Sequence, residues 1–423
     1  MSSFEKVDAV VVGGGPGGSV FAARLASLGR RVVLVERVHH PRFHLGESLL
    51  PASLDVLDTL GLLDEVRATF LVKRGAAFVE GIGGPEARRV RYVFAEAFHA
   101  KWDHAFQVPR DVFDQMLLRR AAACGAEVHE GCEATRVVFE GARAVGVETR
   151  DESGRERAIA ARVVVDASGR DALIARAARS VQRIAHLDRT ALYTQVRGAW
   201  RDQGDREGDI QIVVFGEGDQ RGWFWVIPFR DGRTSVGAVV SGAWIRAHED
   251  LNGPEALFDA AVAEAPAAAE MLQGSERLFR PGATADFSFR VGSRRGDGWM
   301  VVGDAGGFID PLFSTGAHLA MHGSLRGADA VHAALAGSGA EAGVRGDQLA
   351  PWEHDVQAGA DLFIGAVQAF YAGDLVSYLF AQPQHPFLRR AITSMLSGDV
   401  FAGDPAGEST WLREMRSRFP ARA

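Results

Sequence analysis

The stretch that most constrains this chain lies near its start. Val7 to Val12 is apolar and mostly β-branched and runs into Gly13-Gly14-Gly15. Ser19 to Leu28 then carries helical apolar spacing and stops at Gly29, and Val32 to Val35 is a second buried-type strand ending at Glu36. Strand, glycine turn, helix and strand make a βαβ unit. Gly13, Gly15 and Gly18 fill the spacing G-x-G-x-x-G, with Gly17 between the last two. The first glycine allows a tight turn, the second lets the backbone approach a pyrophosphate, and the third lets helix pack on strand. The helix start favours an anion through its free N–H groups and its dipole. Glu36, 18 residues beyond Gly18, can accept hydrogen bonds from ribose hydroxyls. In a chain with 49 glycines a turn without a ligand is the alternative; the strand before, the helix after and the acid at the right place favour a nucleotide site.

Beyond this unit the pattern predicts a helical stretch over residues 48–66 and strands near 75–80 and 90–94. It predicts a helix over 112–124, strands within 127–149 and a buried strand over 163–166 that ends in Ala167-Ser168-Gly169-Arg170. Residues 192–241 alternate polar and apolar at period two, which favours an antiparallel sheet with one face open. Residues 299–302 return to the buried type, followed by Gly303-Asp304 and a long helix over 316–335. Residues 337–346 read as a linker or surface loop, and the chain from Pro351 onward reads as helical. The formal net charge of −7 argues against nucleic acid as the main partner, because phosphate binding needs a basic face. No apolar run is long enough for a membrane span. Two cysteines, Cys124 and Cys132, are too few for a disulfide framework or a zinc site. With no secretory leader pattern at the N-terminus, the expected setting is cytoplasmic and the expected metal content is none. Lysine occurs only at Lys6, Lys73 and Lys101, leaving 44 of the 47 cationic side chains as arginine. A chain so biased has replaced lysine almost wherever a bare positive charge suffices, so the three survivors call for individual inspection.

The later motifs carry a resemblance. Gly303-Asp304-Ala305 after a buried strand resembles the second FAD motif of the para-hydroxybenzoate hydroxylase fold, whose aspartate binds the flavin ribityl chain. Asp166-Ala167-Ser168-Gly169 resembles that group's third short motif, and Arg110 in Val108-Pro109-Arg110-Asp111 matches an arginine it places near the cofactor. For Asp304 a helix N-cap is the alternative, and for Arg110 a surface salt bridge. The resemblance also places Arg42, and Glu47 with Ser48 in Gly46-Glu47-Ser48, on the flavin side.

Three segments resemble the flavin-dependent halogenases specifically. Trp223-Phe224-Trp225-Val226-Ile227-Pro228 matches their W-x-W-x-I-P signature in full, a block that lies beside the flavin in the family and obstructs direct access of substrate to it. In a strand Trp223, Trp225 and Ile227 share one face, with Pro228 at the strand end. Asp310-Pro311-Leu312-Phe313-Ser314-Thr315-Gly316 is similar to the family's halide-binding stretch, in which backbone N–H groups at the positions of Thr315 and Gly316 hold the ion. A plain helix cap at Ser314 or Thr315 is the alternative. Lys73 matches the family's active-site lysine, which takes hypohalous acid and presents it to substrate. Arginine, always charged and a poor nucleophile, serves this role badly, which explains a lysine surviving here; Lys101 is a rival without the matching flanks. Phe313 stands where tryptophan halogenases carry a glutamate and phenol and pyrrole halogenases an aromatic, so it is assigned to the substrate pocket.

The resemblance implies an α/β fold with a discontinuous Rossmann-type FAD-binding domain (1–75, 104–178 and 275–340). An antiparallel-sheet substrate domain (76–103 and 183–274) and a helical C-terminal cap (341–423) complete it. It implies FAD supplied reduced as FADH2 by a separate flavin reductase, chloride or bromide as halide, and an electron-rich aromatic substrate. That substrate is a phenol or pyrrole, either free or carried on an acyl or peptidyl carrier protein. An FAD-dependent aromatic hydroxylase or prenyl reductase shares the glycine turn, Glu36 and Asp304 but needs neither Lys73 nor the tryptophan block. A non-catalytic flavin-binding protein that docks a carrier is the third reading. The base that removes the ring proton is left open among Glu47, His318 and His322.

Overall fold

A computed structural model describes residues 6–81, 87–99, 101–285, 287–337, 339, 342–401 and 409–422. Strand Val7–Val12 lies between Val32–Glu36 and the long strand Glu156–Asp166, parallel to both. Trp299–Val301 and Glu127–Glu130 extend the parallel ladder on either side. Its central strands are buried on both faces, which is why they read as unbroken runs of valine rather than as an alternation. The first helix, Pro16–Ser27, starts at a proline directly after the glycine turn, three residues earlier than its apolar spacing suggested. Gly18 lets this helix lie on the turn, since a Cβ there would overlap the Gly13 carbonyl.

The second large sheet runs in the order Glu276–Arg277, Arg189–Arg197, Arg233–Ser241, Gly222–Pro228, Ile210–Phe215, Gly75–Glu80, Arg89–Val93. Residues 192–241 form antiparallel strands as expected, and the sheet becomes mixed where Ile210–Phe215 pairs parallel to Gly75–Glu80. One expectation needs correction: neither face is open. Phe224 and Val226 pack under the helices Gly253–Glu264 and Pro266–Leu272, and Trp223, Trp225 and Ile227 face the main core. The polar residues that suggested a wet face are buried, among them Gln195 and Ser235, whose side chains engage other site groups.

The stretch 48–66 is not one helix. It is a 3-10 turn Pro51–Ser53, a helix Leu54–Thr59 and, after Gly61 at φ +66°, a helix Leu63–Thr69. The left-handed glycine supplies the break. The C-terminal part is helical, led by Ala350–Ala372, which packs along Thr315–Ala336. Ser338, Ala340 and Glu341, in the expected linker, lie outside the described residues. Among the described residues no helix is long and apolar enough to cross a membrane, and no cluster of His, Cys, Asp or Glu could hold a metal.

Candidate active site

The glycine turn, Glu36 and Arg42 come together at the C-terminal edge of the parallel sheet. Glu36 accepts from the Gly14 amide at 2.6 Å and the Val38 amide at 3.1 Å, which fixes its carboxylate over the turn. A Cβ at Gly15 would meet only Arg42, 3.8 Å away, so the backbone there lies open with a guanidinium beside it. Arg42 Nε is buried and without a partner. Gly17 faces Ser324 and Ala320 of the Thr315–Ala336 helix. Asp304 sits within the 3-10 turn Gly303–Gly306 and caps nothing. Its carboxylate makes no hydrogen bond or ion pair among the described residues, and burial raises its pKa against the pull of Arg110 and Arg170. A buried guanidinium nitrogen with no partner among the described residues beside an open glycine turn, and an unpartnered carboxylate farther along, fit FAD: a pyrophosphate at the first and ribityl hydroxyls at the second. Asp166 is spent on structure instead, accepting from the Ser168 and Ile174 amides.

Arg110 is no surface ion pair. It is buried, bonds Asp114 through two nitrogens at 2.6 and 2.9 Å, and donates to the carbonyl of Leu45 at 2.7 Å. It therefore holds the chain that enters Gly46-Glu47-Ser48. That segment is fixed on its other side by strand Ala105–Gln107: Val108 N donates to Glu47 O and Leu49 N to Phe106 O. The same short strand pairs with Leu71–Lys73, so Ser48 and Lys73 are brought together from 25 residues apart.

Lys73 is 2 % exposed. Its Nζ donates to Ser48 Oγ at 2.9 Å and Leu49 O at 3.1 Å and lies 5.2 Å from the centre of the Phe94 ring. Burial lowers its pKa to about 7, opposed by the charge of Asp209. Lys101, by contrast, is an exposed partner of Asp55.

The tryptophan block is built from both sides. Trp225 Nε1 donates to Ser235 Oγ at 3.1 Å, and its ring lies across Gly237, where any Cβ would overlap it. Trp223 Nε1 donates to Tyr371 Oη at 3.0 Å, and Tyr371 donates to Asp310 Oδ2 at 2.9 Å. Asp310 Oδ1 accepts from Leu312 N, shaping the turn Pro311–Phe313, and Phe313 is buried in the main core. Ser314 takes a left-handed conformation (φ +57°) at the start of helix Thr315–Ala336 and does not cap it. No side-chain oxygen satisfies that helix start, so the amides at Thr315 and Gly316 suit an anion.

Residues 8–100 and 86–371 match the model of the tryptophan halogenase family. The chain belongs to this family. Its members are FAD-dependent oxidoreductases. It is 33% identical over 78% of its length to a tryptophan 2-halogenase of Chondromyces crocatus, of which it spans 61%. It is 28% identical over 95% of its length, and 94% of the relative's, to a 1H-pyrrole-2-carbonyl-[peptidyl-carrier protein] brominase of Pseudoalteromonas luteoviolacea. The solved myxobacterial chondrochloren halogenase superposes with a TM-score of 0.75 at 32% identity, covering 98% of this chain and 97% of that one.

In this halogenase-family chain, Tyr371, Gln195 and Ser235 contact candidate site residues and were not singled out from the sequence, whereas Asp310 lies in the stretch that was. Tyr371 did carry a signal, as one of 4 tyrosines in a chain with 25 phenylalanines. His318 and His322 are packed helix residues. His318 Nδ1 meets Ser53 Oγ at 3.2 Å, and His322 stacks on Phe401 with centroids 4.2 Å apart. Burial lowers their pKa values to about 3 and about 4, so both are neutral.

Glu47 is 1 % exposed and accepts from Gln195 Nε2 at 2.9 Å. Burial raises its pKa from 4.5 to about 7, against the hydrogen bonds of Ser235 and Gln195 and the charges of Arg110 and Arg233. A raised value means that the folded state holds the proton more tightly than the unfolded one. The associated stability is full below pH 4.5 and is lost as pH rises through about 7, a swing on the order of 3 kcal/mol. Glu47→Gln is therefore expected to raise the melting temperature of the flavin-free protein at pH 8 and to change it little at pH 4.5. Melting curves across that range test the assignment, and an equal shift at both pH values would contradict it.

Proposed function

We propose that the chain is a two-component FADH2-dependent halogenase that delivers hypohalous acid through Lys73 to an electron-rich aromatic ring. The observation that carries this reading is a fully buried lysine with a pKa of about 7, oriented by Ser48 and Leu49 beneath the Phe94 ring. Bound FAD, reduced by a partner reductase, supplies the oxygen activation that oxidises halide. Gly13, Gly15, Gly17 and Gly18 would take the pyrophosphate end with Arg42, Glu36 the ribose and Asp304 the ribityl chain. Glu47, Ser48 and Arg110 would form the wall beside the ring system, and Gly316 would approach its edge.

The amides at Thr315 and Gly316 hold the halide. Trp223, Trp225, Ile227 and Pro228 keep substrate from the flavin, so only a small oxidant passes to the amine. At neutral pH Lys73 exists in both protonation states. The ammonium donates to the hypohalous oxygen, while the neutral amine can form a haloamine with loss of water. Either form transfers a halogen cation equivalent to ring carbon, and the ring proton leaves. Phe313, packed in the main core, is the residue we assign to the aromatic wall of the substrate pocket. A phenol or pyrrole suits that wall, and the named substrate of the Pseudoalteromonas relative supports a carrier-bound pyrrole as the first candidate.

The test is a mass spectrum of turnovers with FAD, NADH, a flavin reductase, chloride or bromide, and phenols and pyrroles both free and carrier-bound. A product with the halogen isotope pattern is expected. Oxygen insertion without halogen would move the chain to the hydroxylases.

A further inference from the structure

A cavity lies between the Thr315–Ala336 and Ala350–Ala372 helices and strand Phe289–Val291. Its lining includes neither the glycine turn nor Glu36, Arg42, Glu47 or Arg110. At one end it reaches Asp304, Thr315 and Gly316; along its length run Arg290, Arg294 and Gln357. Apolar walls from Leu319, Trp352 and Ile364 enclose the rest.

Arg294 is the unexplained group. It is 8 % exposed, its Nε is buried without a partner, and its guanidinium packs on Gly306, where a Cβ would overlap it. No acidic side chain forms an ion pair with it among the described residues. Glu353 gives one carboxylate oxygen to the Arg294 backbone amide and Ser293 and the other to Arg295, and Asp361 accepts from Gln357. Asp304 answers to Arg110 and Arg170, and Asp310 to Leu312, Tyr371 and Arg189. Burial pulls the Arg294 pKa down to about 10, against the opposing charges of Glu353 and Asp361, neither of which forms an ion pair with it among the described residues. A buried cation with no carboxylate in contact is costly unless the site holds an anion. One weakly hydrated guanidinium in a mostly apolar cavity matches a small monovalent anion better than a phosphate, which needs several donors.

We propose that Arg294 holds a halide ion in this cavity, a second halide site that supplies the helix start at Thr315 and Gly316 from the side of the Ala350–Ala372 helix. The supply role rests on the reading of Thr315 and Gly316 given above; the Arg294 site itself does not. Crystals of the full chain soaked in bromide would be measured at the bromine absorption edge, for wild type, Arg294→Met and Arg294→Lys. An anomalous peak within hydrogen-bond reach of the guanidinium is expected, lost in Arg294→Met and partly kept in Arg294→Lys. In turnover, Arg294→Met should raise the bromide KM about tenfold, as loss of one charge-assisted hydrogen bond would, with the change falling mainly on KM.

Melting curves add a readout that a structural arginine would fail. Bromide, against gluconate at equal ionic strength, should raise the melting temperature of wild type and not of Arg294→Met. Without halide the methionine variant should melt no lower than wild type. No peak at Arg294 alongside one at Thr315 and Gly316 would overturn the site and leave the halogenase reading standing. A peak at Arg294 alone would support the site and overturn its supply role. A peak that persists in Arg294→Met would show an adventitious ion only.

Discussion

Lys73→Met is expected to lose halogenated product by roughly 10²–10⁴-fold, the range typical for removing a positioned proton-transfer group. FAD binding, which relies on other residues, should persist, and oxidised halide should instead be trapped in solution by an added scavenger. The same variant should gain stability in a pH-dependent way. Because burial lowers the folded-state pKa of Lys73 from 10.5 to about 7, the folded protein binds its proton more weakly than the unfolded chain. Charging this amine opposes folding at pH 7 and below, and the opposition fades as pH rises from about 7 toward 10.5. Lys73→Met should accordingly melt above wild type at pH 6, with the gap closing by pH 10. Methionine leaves Ser48 Oγ without its donor, which trims the gain without changing its sign. A variant that halogenates normally would remove Lys73 from the chemistry, and one less stable than wild type at pH 6 would contradict the lowered pKa. Arginine offers a further check, since its guanidinium stays charged and does not form a haloamine.

What could be read from the chain followed the range of the interactions. The glycine turn, its flanking strands and Asp304 are local patterns, and the backbone there answers to residues close in sequence. Lys73 was legible for a different reason: a scarce residue in an arginine-rich chain marks a position where charge alone does not suffice. The contacts that set its chemistry were not legible, because strand Ala105–Gln107 joins Ser48 to Lys73 through two pairings that no periodicity announces. The open sheet face was misread because period-two alternation cannot distinguish a polar residue facing water from one facing a site. Gln195 and Ser235 are of the second kind, and Glu47 and Trp225 are what they face.

Tyr371→Phe is expected to destabilise the protein by roughly 2–4 kcal/mol, since it strands a buried donor and a buried acceptor together. The hydroxyl accepts from Trp223 Nε1 and donates to Asp310 Oδ2, linking the tryptophan block to the turn before Thr315 across 148 and 61 residues. Phenylalanine keeps the ring under Arg189, whose guanidinium lies 3.7 Å from its centre, so the variant isolates the hydroxyl. The penalty should depend on pH. Burial raises the pKa of Asp310 from 3.8 to about 6, so its contribution to stability is lost as pH rises through that value. The Tyr371 hydroxyl is one of the groups that limits this loss, because it donates to the ionised carboxylate. Without it the carboxylate becomes harder to ionise, and the variant should fall further below wild type at pH 8 than at pH 5. Asp310 also bonds Leu312 N, so its protonation loosens the turn that sets Ser314 in its left-handed conformation. The halide KM should then rise relative to wild type, most just above pH 6, where wild-type Asp310 is ionised and the variant's still holds its proton. Equal penalties at pH 5 and pH 8 would mean that the hydroxyl does not serve an ionised Asp310, and the turn would owe its shape to Leu312 and the helix start alone.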